Sequence, residues 1–165
     1  MTPKLQKKAE KIKLLLTDVD GVLTDGRIVL GNHGEEFKFF HVQDGMGLQL
    51  AREAGISVAI ITGRESELVR RRAEELEIEE VHQNIEDKVR VFTDLLAQEG
   101  LEAEEAAYIG DDINDLPILE RVGLALTVAN GVDKVKKEAD YVTDRAGGQG
   151  AVREAVELIL EYQPS

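Results

Sequence analysis

The chain has 165 residues, of which 42% are hydrophobic and 32% charged, and its formal net charge is −13 at pH 7. This length and composition predict a single globular domain over residues 1–165. The negative charge excludes nucleic acid and anionic membranes as favoured partners, and the absence of cysteine excludes disulfides, thiolate metal sites and cysteine nucleophiles.

The N-terminal thirteen residues are basic and polar, without the apolar stretch of a secretory signal. No apolar run in the sequence approaches the roughly 20 residues that cross a bilayer. These two observations predict a cytoplasmic protein.

The first predicted element is a buried strand at residues 12–16, where an apolar run leads into the acidic turn Asp18-Val19-Asp20-Gly21. Two short strands at residues 27–30 and 35–40 flank Gly31-Asn32-His33-Gly34, which is typical of a β-hairpin. Strands and helices then alternate to the end of the chain. The further strands are predicted at 57–61, around Val81, and at 106–109, 123–128 and 140–143, and the helices at 45–54, 65–77, 86–98, 114–121, 132–138 and 150–162.

This alternation predicts an α/β fold, a doubly wound parallel sheet with right-handed crossovers. Ligands of such sheets bind beyond the carboxyl ends of the strands. Polar clusters follow the apolar runs that end at Leu16, Ile61 and Ile109. We therefore expect three strands to bring these clusters to one edge of the sheet.

Two acidic motifs suggest a metal ion. Asp18 and Asp20 stand two apart on an extended segment, so their side chains point the same way and repel each other unless a cation or proton lies between them. Asp111 follows another buried strand, within Gly110-Asp111-Asp112-Ile113-Asn114-Asp115. Because Mg2+ prefers carboxylate oxygens, the two strand ends predict a shared Mg2+ site, with Co2+ or Mn2+ as alternative ions.

Each motif also has a purely structural interpretation. The first acidic pair fits a solvated turn, and Asp112 or Asn114 fits a helix cap. Thr62, in Thr62-Gly63-Arg64-Glu65, has the spacing of a capping box, and Lys88 taken alone fits a surface lysine. A helix N-terminus also binds anions, so both interpretations of Thr62 are compatible.

The order of the motifs resembles that of the haloacid dehalogenase superfamily. It runs from Asp-x-Asp-Gly after a strand to Thr-Gly after a second strand, then a lysine, then Gly-Asp-Asp-x-x-Asp. Residues 18–26 and 110–115 are both close to the superfamily pattern. The resemblance implies a Mg2+-dependent phosphatase with a Rossmann-like fold.

The resemblance also implies a role for each matching residue. Asp18 is expected to attack phosphorus and form an aspartyl phosphate. Asp20 is expected to protonate the leaving alkoxide and then to activate water. Thr62 and Lys88 are expected to hold the phosphoryl oxygens. The expected metal ligands are Asp18, Asp111 and the backbone carbonyl of Asp20, with Asp112 and Asp115 in support.

The spacing of the motifs leaves no room for a cap domain. The predicted strands and helices already occupy the segments from Asp18 to Thr62 and from Thr62 to Asp111, so neither segment has residues left for a further domain. The hairpin, within about residues 24–42, cannot bury its faces alone. We therefore expect a homo-oligomer that buries the hairpin and completes an open site. The alternative is a hairpin folded back onto its own core.

Nearly the whole chain is similar to a capless, tetrameric branch of the superfamily, through residues 18–26, 39–47, 61–72 and 147–154. This implies a phosphorylated keto sugar acid, 3-deoxy-D-manno-octulosonate 8-phosphate, as substrate, in lipopolysaccharide precursor synthesis. Arg64, and Arg72 of a neighbouring subunit, are expected to bind its carboxylate. Gln149 departs from the branch, whose tail often carries Arg there. The expected substrate-binding residues are Asp20, His41, Asp44, Gly45, Thr62, Gly63, Arg64, Arg72, Lys88 and Asn114.

Other functions fit parts of the sequence. A sister phosphatase acts on a nine-carbon keto acid 9-phosphate but carries Glu after Thr-Gly, so Arg64 favours the eight-carbon substrate; a broader sugar-phosphate phosphatase is a related alternative. A phosphorylated receiver domain uses the same residue types, but here Thr62 precedes the Asp111 motif. A non-catalytic assembly module would not need the complete motif set.

Overall fold

Six strands form the central sheet of the computed structural model, which describes residues 2–163. They are β1 (Leu14–Thr17), β4 (Ser57–Ile61), β5 (Glu80–His82), β6 (Ala106–Gly110), β7 (Leu124–Thr127) and β8 (Tyr141–Val142). Their order is β5-β4-β1-β6-β7-β8, and every pairing is parallel. The predicted parallel α/β sheet is confirmed.

Helices cover both faces of the sheet. One face carries α1 (Pro3–Ala9), α2 (Val42–Glu53), α3 (Glu67–Glu75) and α7 (Ala151–Glu161), and the other carries α4 (Lys88–Glu99), α5 (Leu116–Leu119) and α6 (Asp133–Glu138). Successive strand residues alternate between the two cores: Leu15 faces the first, whereas Leu14 and Leu16 face the second. The sheet is therefore doubly wound, as predicted.

The chain reverses its direction of travel across the sheet at β1. From β1 it moves to β4 and β5 on one side, then returns to place β6 on the other side. The carboxyl ends of β4, β1 and β6 are thus neighbours at a topological switch point, where open α/β sheets bind their ligands.

The hairpin forms with shorter strands than predicted, β2 (Val29–Leu30) and β3 (Glu36–Phe37). Apolar side chains are exposed both before and after its turn, with Leu30 at 68% and Phe39 at 59% exposure. Within residues 2–163 the hairpin and α2 fill the segment between β1 and β4, and no cap domain is inserted.

Several helix boundaries differ from the predictions. The helix expected from residue 65 begins at Glu67 with Ser66 as its N-cap, so the capping-box interpretation of Thr62 is wrong. The helix expected from residue 45 already begins at Val42. The helix expected at 114–121 is divided into a 3-10 turn (Ile113–Asp115) and α5, because the Asp115 side chain bonds back to the preceding backbone.

Helix α1 was not predicted. Thr2 caps it by accepting a hydrogen bond from the Leu5 amide at 3.3 Å, and Pro3 occupies its first turn. Its apolar side is narrow, since Leu5 and Ala9 are its buried residues. None of the helices in the part of the chain that the structure describes is long and apolar enough to cross a membrane.

Candidate active site

Carboxylates from two of the three neighbouring strand ends meet at the switch point. One oxygen each of Asp18, Asp111 and Asp115 lie within 4.8 Å of one another. Asp18 follows β1, and its amide donates to the Ile109 carbonyl of β6 at 3.0 Å, so the two strands hold it in place. The expected convergence of acidic residues at this edge is therefore present.

A tight turn after β1 sets the position of Asp18 and Asp20. The Val19 carbonyl accepts from the amides of Val22, Leu23 and Thr24, which folds the chain back immediately. Gly21 has φ +94°, and a Cβ there would overlap the Asp111 carboxylate. Glycine at this position thus permits both the turn and the close approach of the two acidic loops.

Lys88 is a buried cation between three oxygens. Its Nζ donates to Asp18 Oδ2 at 2.9 Å, to Tyr108 Oη at 3.0 Å and to Asp115 Oδ1 at 2.6 Å, and the residue is 4% exposed. Burial by itself lowers the pKa of Lys88, but the carboxylates of Asp18 and Asp115 outweigh it and raise that pKa above its usual range. The lysine is therefore a fixed positive charge and not a surface residue.

Asp115 is fully occupied by partners within the protein. Its Oδ1 accepts from Lys88 and, at 2.6 Å, from the Tyr108 hydroxyl, while its Oδ2 accepts from the amides of Asp111 at 2.9 Å and Asp112 at 3.1 Å. Such a carboxylate organises the loop around Asp111 and has no further strong acceptor site for an ion. Tyr108, whose hydroxyl is buried under this network, has no sequence signal that predicts its role.

The remaining two carboxylates fit a divalent cation. Burial, then the neighbouring charges of Asp115 and Asp18, raises the pKa of Asp111 to about 7. Burial likewise raises the pKa of Asp18 to about 6, against the opposing effect of Lys88. Crowded carboxylates with raised pKa values are stabilised by an added cation, and all-oxygen ligands suit Mg2+, Co2+ or Mn2+.

A cleft of about 240 Å³ opens above these groups. Thr62 is 2% exposed, and its backbone is held by hydrogen bonds to His82 and Ile85. Arg64 is half exposed at the mouth of the cleft. The lining residues are Asp18, Asp20, Gly26, Thr62, Gly63, Arg64, Asp111, Asp112 and Asn114.

Asp20 is bound by a lysine that the sequence analysis missed. Lys38 Nζ lies 2.5 Å from Asp20 Oδ1 and 3.4 Å from Glu36 Oε1. Arg64 Nε lies 3.7 Å from the other oxygen of Asp20. A signal was present in the alternation of charged and aromatic residues from Glu36 onward, which places Glu36 and Lys38 on one face of the hairpin strand.

Four of the predicted substrate-binding residues lie away from the cleft of their own chain. Asp44 is buried and accepts from the amides of Arg153 at 3.0 Å and Gly150 at 3.2 Å, so it caps α7. Arg72 packs on Gly45 and pairs with Glu75 at 3.0 Å. His41 is the N-cap residue of α2, and its Nδ1 is buried without a hydrogen-bond partner among the residues described.

The glycine-rich tail packs against the back of the acidic turn. The Gly148 amide donates to the Val22 carbonyl at 2.9 Å. A Cβ on Gly147 would overlap the Gly21 carbonyl, and one on Gly148 would lie 2.5 Å from the Asp25 amide nitrogen. This segment supports the turn that carries Asp18 and Asp20 instead of lining the cleft.

Residues 78–155 match the model of the haloacid dehalogenase-like hydrolases. The chain is 48% identical over 163 residues to the 3-deoxy-D-manno-octulosonate 8-phosphate phosphatase of Salmonella typhimurium, covering 99% of this chain and 87% of that protein.

Solved structures of the same kind of enzyme are also similar. That of the Moraxella catarrhalis phosphatase, in complex with magnesium, phosphate and KDO, superposes with a TM-score of 0.96 at 45% identity, over 99% of this chain and 94% of that one. The cobalt-bound phosphatase of Haemophilus influenzae gives a TM-score of 0.91 at 43% identity, over 94% and 91% of the two chains.

Proposed function

The chain belongs to the haloacid dehalogenase-like hydrolases of the 3-deoxy-D-manno-octulosonate 8-phosphate phosphatase family, and we propose that it hydrolyses this sugar acid phosphate in a Mg2+-dependent reaction. The observation that carries the proposal is the buried Asp18 carboxylate, held by Lys88 at 2.9 Å, at the floor of a cleft that also contains Asp20 and Thr62. The product is the free sugar acid, a precursor for lipopolysaccharide.

Asp18 is the proposed nucleophile. Its Oδ2 is fixed by Lys88 and its Oδ1 accepts from the Val19 amide at 2.7 Å, so the carboxylate has one orientation. A carboxylate oxygen bonds to phosphorus while the ester bond between phosphorus and the sugar oxygen breaks, which leaves an aspartyl phosphate. Positioning and charge neutralisation are the main requirements of phosphoryl transfer, and Lys88 supplies both.

Asp20 is the proposed acid and base. It gives a proton to the departing sugar oxygen, then takes one from the water that attacks the aspartyl phosphate. Thr62 is the proposed donor to a phosphoryl oxygen, which its position in the cleft, just after β4, supports. A Mg2+ ion held by Asp18, Asp111 and the Asp20 carbonyl would offset the charge of the phosphoryl oxygens.

Two basic side chains at the cleft support an anionic sugar acid as substrate. The chain carries a net charge of −13, which repels such a substrate in general. At the cleft, however, Arg64 lies at the mouth and Lys88 lies beneath Asp18. The guanidinium group of Arg64 can pair with a carboxylate through two parallel hydrogen bonds, which favours the eight-carbon keto acid.

We further propose that the protein is a homotetramer assembled through the hairpin. Four apolar residues of the hairpin, Ile28, Leu30, Phe37 and Phe39, are each more than half exposed. Arg72 lies on Gly45, outside the cleft of its own chain, which is consistent with a substrate contact from a neighbouring subunit.

Phosphate release from 3-deoxy-D-manno-octulosonate 8-phosphate tests the proposal. The nine-carbon 9-phosphate and a simple hexose phosphate serve as comparison substrates, and Asp18→Asn as the blank. We expect strong turnover of the eight-carbon substrate that requires Mg2+ and disappears in the blank. Equal turnover of all three would reject the specificity, and no turnover of any would favour a non-catalytic assembly module.

A further inference from the structure

One strand of the hairpin has two chemically opposite sides. On the strand that follows Gly34, Phe37 and Phe39 are exposed, whereas Glu36, Lys38 and Phe40 turn toward the domain. A surface strand ordinarily places apolar residues inward and charges outward. This strand has the reverse arrangement, so its inward-facing charges, Glu36 and Lys38, need partners within the domain.

Lys38 is the most strongly engaged of these charges. Its side chain is 3% exposed, and its ammonium contacts Asp20 Oδ1 at 2.5 Å and Glu36 Oε1 at 3.4 Å. Burying an ammonium group costs several kcal/mol unless it is paired. The hairpin therefore carries a buried cation whose nearest partner is a residue of the cleft.

The surrounding contacts fix where Lys38 can place its ammonium. Glu36 accepts a 2.7 Å hydrogen bond from the Ser66 hydroxyl, which ties the hairpin to the start of α3. Phe40, two residues after Lys38, packs against the core beneath the first face of the sheet. Lys38 is thus anchored on both sides and its reach toward Asp20 is set by the fold.

The Lys38 contact makes the two oxygens of Asp20 unequal. Oδ1 is held by Lys38, whereas Oδ2 makes no hydrogen bond with any residue in the range 2–163 and has Arg64 Nε at 3.7 Å. We propose that Lys38 is a positioning residue that fixes the Asp20 carboxyl group so that Oδ2 faces the departing sugar oxygen. This inference rests on the acid–base role proposed above for Asp20.

Substrates with different leaving groups distinguish the two possible roles of Lys38. Lys38 either positions Asp20 for proton transfer or forms an ion pair that only stabilises the fold. A sugar alkoxide needs a proton as it leaves, whereas p-nitrophenolate leaves without one. If Lys38 acts through Asp20, its loss slows the first step for the sugar phosphate and spares p-nitrophenyl phosphate. If Lys38 merely anchors the hairpin, both substrates are slowed equally.

The test compares Lys38→Met with the wild type by rapid mixing, with Mg2+ present. The release of sugar or of p-nitrophenolate in the first turnover reports the step in which the leaving group departs. We expect the first-turnover rate constant at saturating substrate to fall about 10–100-fold for the sugar phosphate and less than about threefold for p-nitrophenyl phosphate, with the half-saturating substrate concentration unchanged. Lys38→Arg should restore part of the activity.

Two controls complete the experiment. Arg27→Met removes an exposed hairpin cation that pairs with Asp25, away from Asp20, and should change neither substrate. Lys38→Met combined with Asp20→Asn should be no slower than Asp20→Asn alone, because residues that act as a unit are non-additive. Additive losses, or equal losses for the two substrates, would overturn the inference. Wild-type turnover of the sugar acid phosphate reports separately on the proposed function.

Discussion

Lys88 and Asp115 use their hydrogen-bonding capacity within the protein, which distinguishes them from the neighbouring carboxylates of Asp18 and Asp111. Lys88 has three oxygen partners, and both oxygens of Asp115 accept two donors each. Asp18 and Asp111 retain acceptor capacity toward the cleft. At the scale of single residues, the site thus separates groups that hold the geometry from groups that meet substrate and metal.

Tyr108 belongs to the groups that hold this geometry. In Tyr108→Phe, Asp115 loses one buried donor, so we expect a loss of stability of about 1–2 kcal/mol and a several-fold fall in kcat. Urea unfolding and phosphate release measure the two effects. Tyr141→Phe is the matched control, because Tyr141 bonds Glu154 outside the cleft and its loss should leave kcat unchanged. Unchanged kcat in Tyr108→Phe would contradict the assignment.

The raised pKa of Asp111 predicts that the folding stability of the metal-free protein depends on pH. Burial raises its pKa to about 7, so the folded state holds this proton more tightly than the unfolded chain. The stability that this group contributes is complete below about pH 4, the value of an ordinary aspartate, and is lost as the pH rises through about 7.

Asp111→Asn should therefore raise the melting temperature in the presence of a chelator by several degrees at pH 8 and by little at pH 5. Added Mg2+ should stabilise the wild type and not the variant, because a ligand stabilises the state that binds it. Asp94→Asn, a change at an exposed aspartate of α4 outside the cleft, is the control. A variant advantage that is the same at both pH values would show that Asp111 is not the titrating group.

At the scale of elements, strands were predicted more accurately than loops. The prediction of β4 at residues 57–61 was correct at both ends, and the helix predicted at 86–98 is present as α4, which ends at Gly100 in the left-handed conformation. Helix α1 was missed because two buried side chains give too weak a periodicity. Elements with a strong local hydrophobic pattern were thus predictable from the sequence. An element with a weak pattern, such as α1, is determined by its packing against the rest of the domain.

Contacts between distant segments were beyond sequence reasoning. Asp44 caps α7 more than a hundred residues away, and Lys38 reaches back across the hairpin to Asp20. Neither pair has a spacing that indicates contact. The motif residues, by contrast, follow strand ends, so the fold class alone predicts where they gather.

The glycine-rich tail gives an element-scale prediction. Gly147→Ala forces a Cβ into the Gly21 carbonyl, so the acidic turn must shift. We expect about 1–3 kcal/mol of lost stability and a clear fall in kcat. Gly34→Ala, at the hairpin tip with nothing within 4 Å, bears only backbone strain and should keep its activity. Thermal unfolding with phosphate release distinguishes the two, and full activity in Gly147→Ala would refute the coupling.

At the scale of the whole molecule, the exposed face of the hairpin is the feature that a single chain leaves unexplained. Phe37 and Phe39 are both more than half exposed, as are Ile28 and Leu30 before the turn. Exposed apolar surface of this kind marks an interaction site in a soluble protein. The hairpin thereby links the proposed assembly, through its exposed apolar residues, to the proposed catalytic acid, through Lys38.

The double variant Phe37→Glu, Phe39→Glu should dissociate the assembly, because charges would be buried in the interface. We expect monomers in sedimentation velocity and a raised KM, since Arg72 of the neighbour would be lost from the site. Lys137→Glu, an exposed change on α6, controls for added negative charge. A double variant that remains assembled would place the interface elsewhere.

The most direct test of the central claim is to trap the phosphorylated enzyme. The protein is mixed with Mg2+ and 3-deoxy-D-manno-octulosonate 8-phosphate, quenched in acid during turnover, digested, and examined by mass spectrometry. We predict one added phosphoryl group, on Asp18, and none in Asp18→Asn. Turnover without a phosphorylated peptide, or a phosphoryl group on another residue, would contradict the assignment of Asp18 as the nucleophile.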